Sequence, residues 1–104
     1  MPRRAFDGLT ESMFYVLMAL DVGEKCGSDI ASAVEKRSGK RVRLGPATLY
    51  TILAKFEEEK FIRETAVEGR KRTYTITEKG RIMYQDELKR LKACLDDAER
   101  GEEE

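Results

Sequence analysis

Residues 43–56 read Arg-Leu-Gly-Pro-Ala-Thr-Leu-Tyr-Thr-Ile-Leu-Ala-Lys-Phe, and this stretch decides how the rest of the chain is read. Gly45 suits an N-cap, and Pro46 suits the first helical position, where a missing N–H costs nothing. Leu49, Ile52, Leu53 and Phe56 follow at i, i+3, i+4 and i+7, the apolar face of an amphipathic helix. The opposite face carries Ala47, Thr48, Thr51, Ala54 and Lys55. These side chains are small, hydroxylic or basic, the kinds that approach a nucleic-acid groove closely. Arg41 and Arg43 stand just before the helix. The pattern predicts the second helix of a helix-turn-helix, its start facing a polyanion.

Working outward, the 104 residues form one domain with one modest core. Apolar residues make up 40% of the chain and charged residues 38%, so the surface is heavily charged. Net charge is zero, but its distribution is uneven. Lys36 to Arg72 holds eleven basic and five acidic residues, whereas Asp96 to Glu104 holds six acids and one Arg. A basic middle beside an acidic tail points to a polyanionic partner for the middle. The chain has no His, which removes the usual general base near neutral pH and the commonest metal ligand. Cys26 and Cys94 are too far apart for a Cys-x-x-Cys pair, so no metal site and no cofactor are expected. Free thiols without an export signal fit the cytoplasm, and the apolar run Met13 to Leu20 is too short to span a membrane.

Residues 1–9 read as a loose lead-in. Thr10 is the expected N-cap of a buried helix from Glu11 to Leu20, with Met13, Phe14, Val16, Leu17 and Leu20 as core. Ser28 or Asp29 is expected to cap a second helix ending near Ser38, with Ile30 and Val34 facing inward and Gly39 closing it. After Phe56 come Glu57, Glu58 and Glu59, unfavourable at a helix C-terminus. They predict that the helix turns its start, not its end, towards phosphate. Extended segments follow from Phe61 to Val67 and from Arg72 to Ile76, joined by a turn at Glu68 to Lys71. This is a hairpin whose tip and return strand carry Arg70, Lys71 and Arg72. Thr77 caps a last helix in which Tyr84, Leu88, Leu91, Leu95 and Ala98 are spaced 4, 3, 4 and 3. That narrow heptad seam predicts a homodimer interface.

The order of elements and several local motifs resemble the PadR family of bacterial and archaeal transcriptional regulators. The resemblance rests on Leu9-Thr10-Glu11, on Gly27 with Ile30, and on Leu44 to Tyr50. It rests also on Glu57 to Glu59, the Gly69 to Arg72 hairpin tip, and Tyr74-Thr75-Ile76-Thr77-Glu78-Lys79-Gly80. It covers about residues 9 to 98. The resemblance implies an effector-responsive repressor that binds a palindromic operator and, in short members like this one, dimerises through a single C-terminal helix. The chain departs from the pattern at Ser28, where an aromatic residue is common, and at Lys60, where Gly usually precedes the wing. It has no Trp to build the stacking drug pocket of some multidrug-sensing members.

The expected fold is therefore mainly α with a small β-hairpin (α+β), a winged helix-turn-helix over residues 1–76 followed by a dimerisation helix over 77–98 and an acidic disordered tail over 99–104. Double-stranded DNA is the expected partner. Arg41, Arg43, Lys55, Arg70, Lys71 and Arg72 are the expected phosphate contacts, which position the protein without reading sequence. Thr48 and Thr51 are expected at the base edges, with Ala47 able to touch a thymine methyl, and Pro46 at the helix start is counted with the DNA-binding residues. Tyr50 serves either a phosphate or packing, and Lys55 either DNA or solvent. A small-molecule effector, if bound, would meet Phe14, Tyr15, Met18 and Tyr84. Two other readings stay open: a winged-helix protein-interaction module without DNA binding, and a thiol redox switch at Cys94. Enzymatic activity is not expected, because no carboxylate pair lies in an apolar setting that would tune it.

Overall fold

A computed structural model of the protein describes residues 8–102. The elements run α1 (Glu11–Val22), β1 (Lys25–Cys26), α2 (Gly27–Arg37), α3 (Pro46–Glu58), β2 (Ile62–Glu68), β3 (Lys71–Ile76) and α4 (Glu78–Arg100). The sheet is antiparallel in the order β1-β3-β2. The expected class, mainly α with a winged helix-turn-helix, is what the chain adopts. Most of the early lead-in, residues 1–7, and the last two residues of the acidic tail lie outside the described residues.

The helix ends follow from local chemistry. Thr10 caps α1, its Oγ1 accepting from Met13 N at 3.2 Å, while Thr10 N donates back to the Met13 sulfur at 3.4 Å. This is a capping box with a thioether in place of the usual carboxylate. α3 begins as its sequence dictates, with Gly45 as N-cap and Pro46 in the first turn. α2 and α3 both end in a Schellman arrangement. Lys40 N donates to Glu35 O and Gly39 N to Lys36 O; Phe61 N donates to Phe56 O and Lys60 N to Glu57 O. Gly39 (φ +63) and then Lys40 (φ +70) are left-handed in the first case, and Lys60 (φ +67) in the second. Lys60 thus takes glycine's conformation, at a cost of about 1–2 kcal/mol. Thr77 ties that corner down: its N–H donates to Phe61 O at 2.9 Å and its Oγ1 donates to Lys60 O at 2.6 Å.

Two local expectations are corrected. The cap of α2 is neither Ser28 nor Asp29 but Cys26, which makes no side-chain cap bond. The cause is β1: Lys25 pairs with Tyr74 and Cys26 with Thr73, so the chain stays extended until Gly27 and the helix starts early. A two-residue strand has no periodicity to read. The second correction is at the far end, where α4 runs through Glu99 to Arg100 and so takes in the first residues of the acidic tail.

The core is formed where α1, α2 and α3 meet the sheet. Phe56, Leu17, Leu20, Ile30, Leu53 and Ile62 are among its fully buried side chains. The four inward positions of α3, Leu49, Ile52, Leu53 and Phe56, are all buried, which fixes the roll of the helix and turns its other face to solvent. Only the start of α4 belongs to this core. Gly80 is buried, and an added Cβ there would fall 2.1 Å from Phe61 O. Further along, Leu88, Leu91 and Leu95 are 38%, 37% and 56% exposed.

Candidate nucleic-acid interface

The exposed face of α3 follows directly from its buried one. Ala47, Thr48, Tyr50, Thr51, Ala54 and Lys55 all face outward, as does Pro46 at the helix start. Thr51 Oγ1 donates to Ala47 O at 2.8 Å, bonding its hydroxyl proton to the preceding turn. The ring of Tyr50 lies across the start of α2, so that an added Cβ at Gly27 would meet its hydroxyl at 2.8 Å.

The hairpin rises beside this face. Its strands pair from Ile62–Ile76 to Glu68–Lys71, with a bulge between Glu64 and Ala66. The two-residue tip is Gly69 and Arg70, shorter than the four-residue turn expected. Gly69 has φ +64 and Arg70 does not, the sign pattern of a type II′ turn with glycine first. Thr65, the bulged residue, donates to Glu24 Oε1 at 2.9 Å and so braces the wing against the α1–β1 loop. The wing and the start of α2 enclose a cleft of about 440 Å³, lined by Cys26, Gly27, Ser28, Asp29, Tyr50, Arg70, Lys71 and Arg72. The uncapped N–H groups of α2, the positive end of its dipole and three cations, against the one carboxylate of Asp29, therefore face one space, an arrangement suited to phosphate. Gly27 and Ser28 were not legible as part of such a surface. The early start of α2, which puts them there, depends on β1.

The other expected contacts are distributed less evenly. Arg41 is turned towards α1, its guanidinium donating to Glu11 Oε2 at 3.0 Å and to the Tyr15 hydroxyl at 3.1 Å. The Glu11 bond raises its already high pKa further. Arg43 has its Nε 3.7 Å from Glu35 Oε2. Arg72 donates to Glu64 Oε2 at 3.0 Å on the neighbouring strand. All three cations stay more than half exposed in their side chains, and exposed pairs of this kind exchange readily for a better anion. Arg70 at the tip and Lys71 beside it at the start of β3 are exposed.

Of the four residues expected around an effector, Phe14 and Tyr84 stack with ring centroids 5.2 Å apart. Burial raises the Tyr84 pKa, and the nearby Asp21 charge adds to the shift. Met18 is half-buried on α1. Tyr15 meets Phe14 edge-on at 6.1 Å, but its hydroxyl is committed to Arg41. Tyr84 was also expected on the dimer seam; the rest of that seam, Leu88, Leu91, Leu95 and Ala98, lies open on α4. Cys26 is buried and Cys94 exposed, the latter 3.8 Å from Arg90 Nη1. Among the described residues no group of His, Cys, Asp and Glu could hold a metal ion, and no helix is long and apolar enough to cross a membrane.

Residues 16–86, from the middle of α1 to the first turns of α4, match the family described as transcriptional regulator PadR-like. The chain belongs to the PadR-like family of transcriptional regulators. The match spans the helix-turn-helix, the wing and the buried start of α4. Among solved structures, the fold is similar to a transcriptional regulator from Clostridium thermocellum, with a TM-score of 0.75 and 20% identity over 88% of this chain and 90% of that one. It is also similar to Bacillus subtilis PadR, solved in complex with operator DNA, with a TM-score of 0.64 and 29% identity over 73% of this chain and 45% of that one. A curated relative, an uncharacterised 37.1 kDa protein in transposon TN4556 of Streptomyces fradiae, is 36% identical over 77 residues. That alignment takes in 74% of this chain but only 22% of the relative, so this PadR-like chain corresponds to about a fifth of it.

Proposed function

We propose that this PadR-like regulator is a cytoplasmic repressor that binds a palindromic operator as a homodimer and responds to a small-molecule effector. The observation that carries the DNA reading is the shared cleft. Arg70, Lys71 and Arg72 of the wing, the start of α2 and Tyr50 of α3 converge on one space beside the outward face of α3. A protein-interaction module that had given up DNA would have no reason to gather these cations there. The presence of operator DNA in the Bacillus subtilis PadR complex supports the same reading.

In this mechanism the wing and the start of α2 hold phosphates, and the first turns of α3 enter the major groove. Glu57, Glu58 and Glu59, at the other end of α3, stay away from the DNA. Leu88, Leu91 and Leu95 pair α4 with its copy and place two α3 helices about 34 Å apart, one turn of the duplex. The effector acts where α1 meets α4, around Phe14, Met18 and Tyr84, because that contact sets the angle of the dimer helix against the winged domain. The test is a gel-shift titration with the region upstream of the chain's own gene at several salt concentrations. Specific binding that weakens steeply with salt is expected; binding without salt dependence refutes the phosphate assignment.

A further inference from the structure

With α3 in the major groove, the residues that face outward also say which bases it reads. Direct readout of adenine uses the paired donor and acceptor of Asn or Gln. The chain has no Asn, and its single Gln, Gln85, lies on α4. Guanine is read by Arg or Lys. α3 has no Arg, and its one Lys, Lys55, is in its last turns, next to Glu57 and Glu58. Ala47, Thr51 and Ala54 are exposed at i, i+4 and i+7, with Thr48 beside them. The Thr51 hydroxyl is bonded to Ala47 O at 2.8 Å, which turns Oγ1 back along the helix and leaves the side-chain methyl for the groove. The chemistry presented at the reading end is thus chiefly methyl groups, with the Thr48 hydroxyl beside them, and the base-edge feature that matches the methyls is the C5 methyl of thymine.

We infer that α3 recognises its operator chiefly through thymine methyls, with Ala47 and Thr51 as the specificity-determining residues. The inference rests on the DNA-binding reading, and its test separates the two. Duplexes that bind the full-length chain are selected from a random-sequence pool. The winning duplex is then resynthesised with deoxyuridine for thymine in its half-sites, and separately with 7-deazaguanine for guanine. Deoxyuridine is expected to weaken binding about fourfold for each thymine methyl taken out of the interface, and 7-deazaguanine to change it little. Thr51→Val, which keeps the methyl and drops the hydroxyl, should retain the preference for thymine over deoxyuridine, whereas Thr51→Ser should lose the share of it that Thr51 supplies and keep the share of Ala47. Both changes lie on an exposed face, and circular dichroism checks that the fold is kept. Tight binding that is indifferent to deoxyuridine but abolished by 7-deazaguanine overturns the inference and assigns readout to Arg43 or Lys55. Failure to retain any duplex overturns the DNA-binding reading itself.

Discussion

An added Cβ at Gly27 would stand 2.8 Å from the Tyr50 hydroxyl, so the first residue of α2 and the recognition face of α3 are in direct contact. Gly27→Ala should therefore push the far end of the Tyr50 ring off the start of α2. The ring is half exposed and can yield, so thermal unfolding should register a change of about 1 kcal/mol or less. DNA affinity should fall about tenfold, the scale of one hydrogen bond to a charged group. Tyr50→Phe should reproduce that loss in a filter-binding assay. If Gly27→Ala weakens binding and Tyr50→Phe does not, the ring and not its hydroxyl makes the contact.

The wing cations are expected to act by charge alone. Arg70→Ala combined with Lys71→Ala should weaken binding to every duplex alike and reduce the slope of log affinity against log salt by about 2. Arg72 differs because it is bonded to Glu64. Glu64→Gln removes that competitor for the guanidinium and should strengthen binding, with the gain largest at low salt. Weaker binding by Glu64→Gln would mean that the pair orients Arg72 and does not restrain it.

Gly80 is a stability determinant with no part in the DNA surface. Its absent Cβ leaves room for Phe61 O, a backbone atom that cannot step aside. Gly80→Ala should destabilise the chain by about 3 kcal/mol, the upper range for overpacking, despite the better helix propensity of Ala. Chemical denaturation measures this directly. An unchanged midpoint would show that the junction of α4 with the wing can open at little cost.

Leu91 is exposed at the centre of the α4 seam, remote from the core. On the proposed pairing of α4, Leu91→Asp should sediment as a monomer where the unaltered chain sediments as a dimer, with helix content retained. Operator affinity should fall with it, because one winged domain reaches only one half-site. A variant that stays dimeric would move the interface off this seam.

Local features were legible in the sequence because their causes lie within a few residues. Thr10 and Thr77 as caps, Gly45-Pro46 opening α3, the buried set Leu49, Ile52, Leu53 and Phe56, and a hairpin turning at Gly69 all follow from backbone hydrogen bonding and side-chain period. Arg70 at the wing tip and Lys71 and Arg72 at the start of β3 follow in turn from the hairpin. By itself, then, the sequence determined the four helices and the hairpin, their inward faces and the family. Tertiary structure decided what those elements do to one another. β1 is two residues long and exists only because β3 lies beside it, and it is β1 that starts α2 at Gly27 and brings Ser28 into the cleft. Arg41 meets a carboxylate thirty residues away at Glu11, and Tyr84 stacks on Phe14 of α1. No periodicity carries such pairings, since they depend on how finished elements pack, and the energy that selects them is the burial of a shared core.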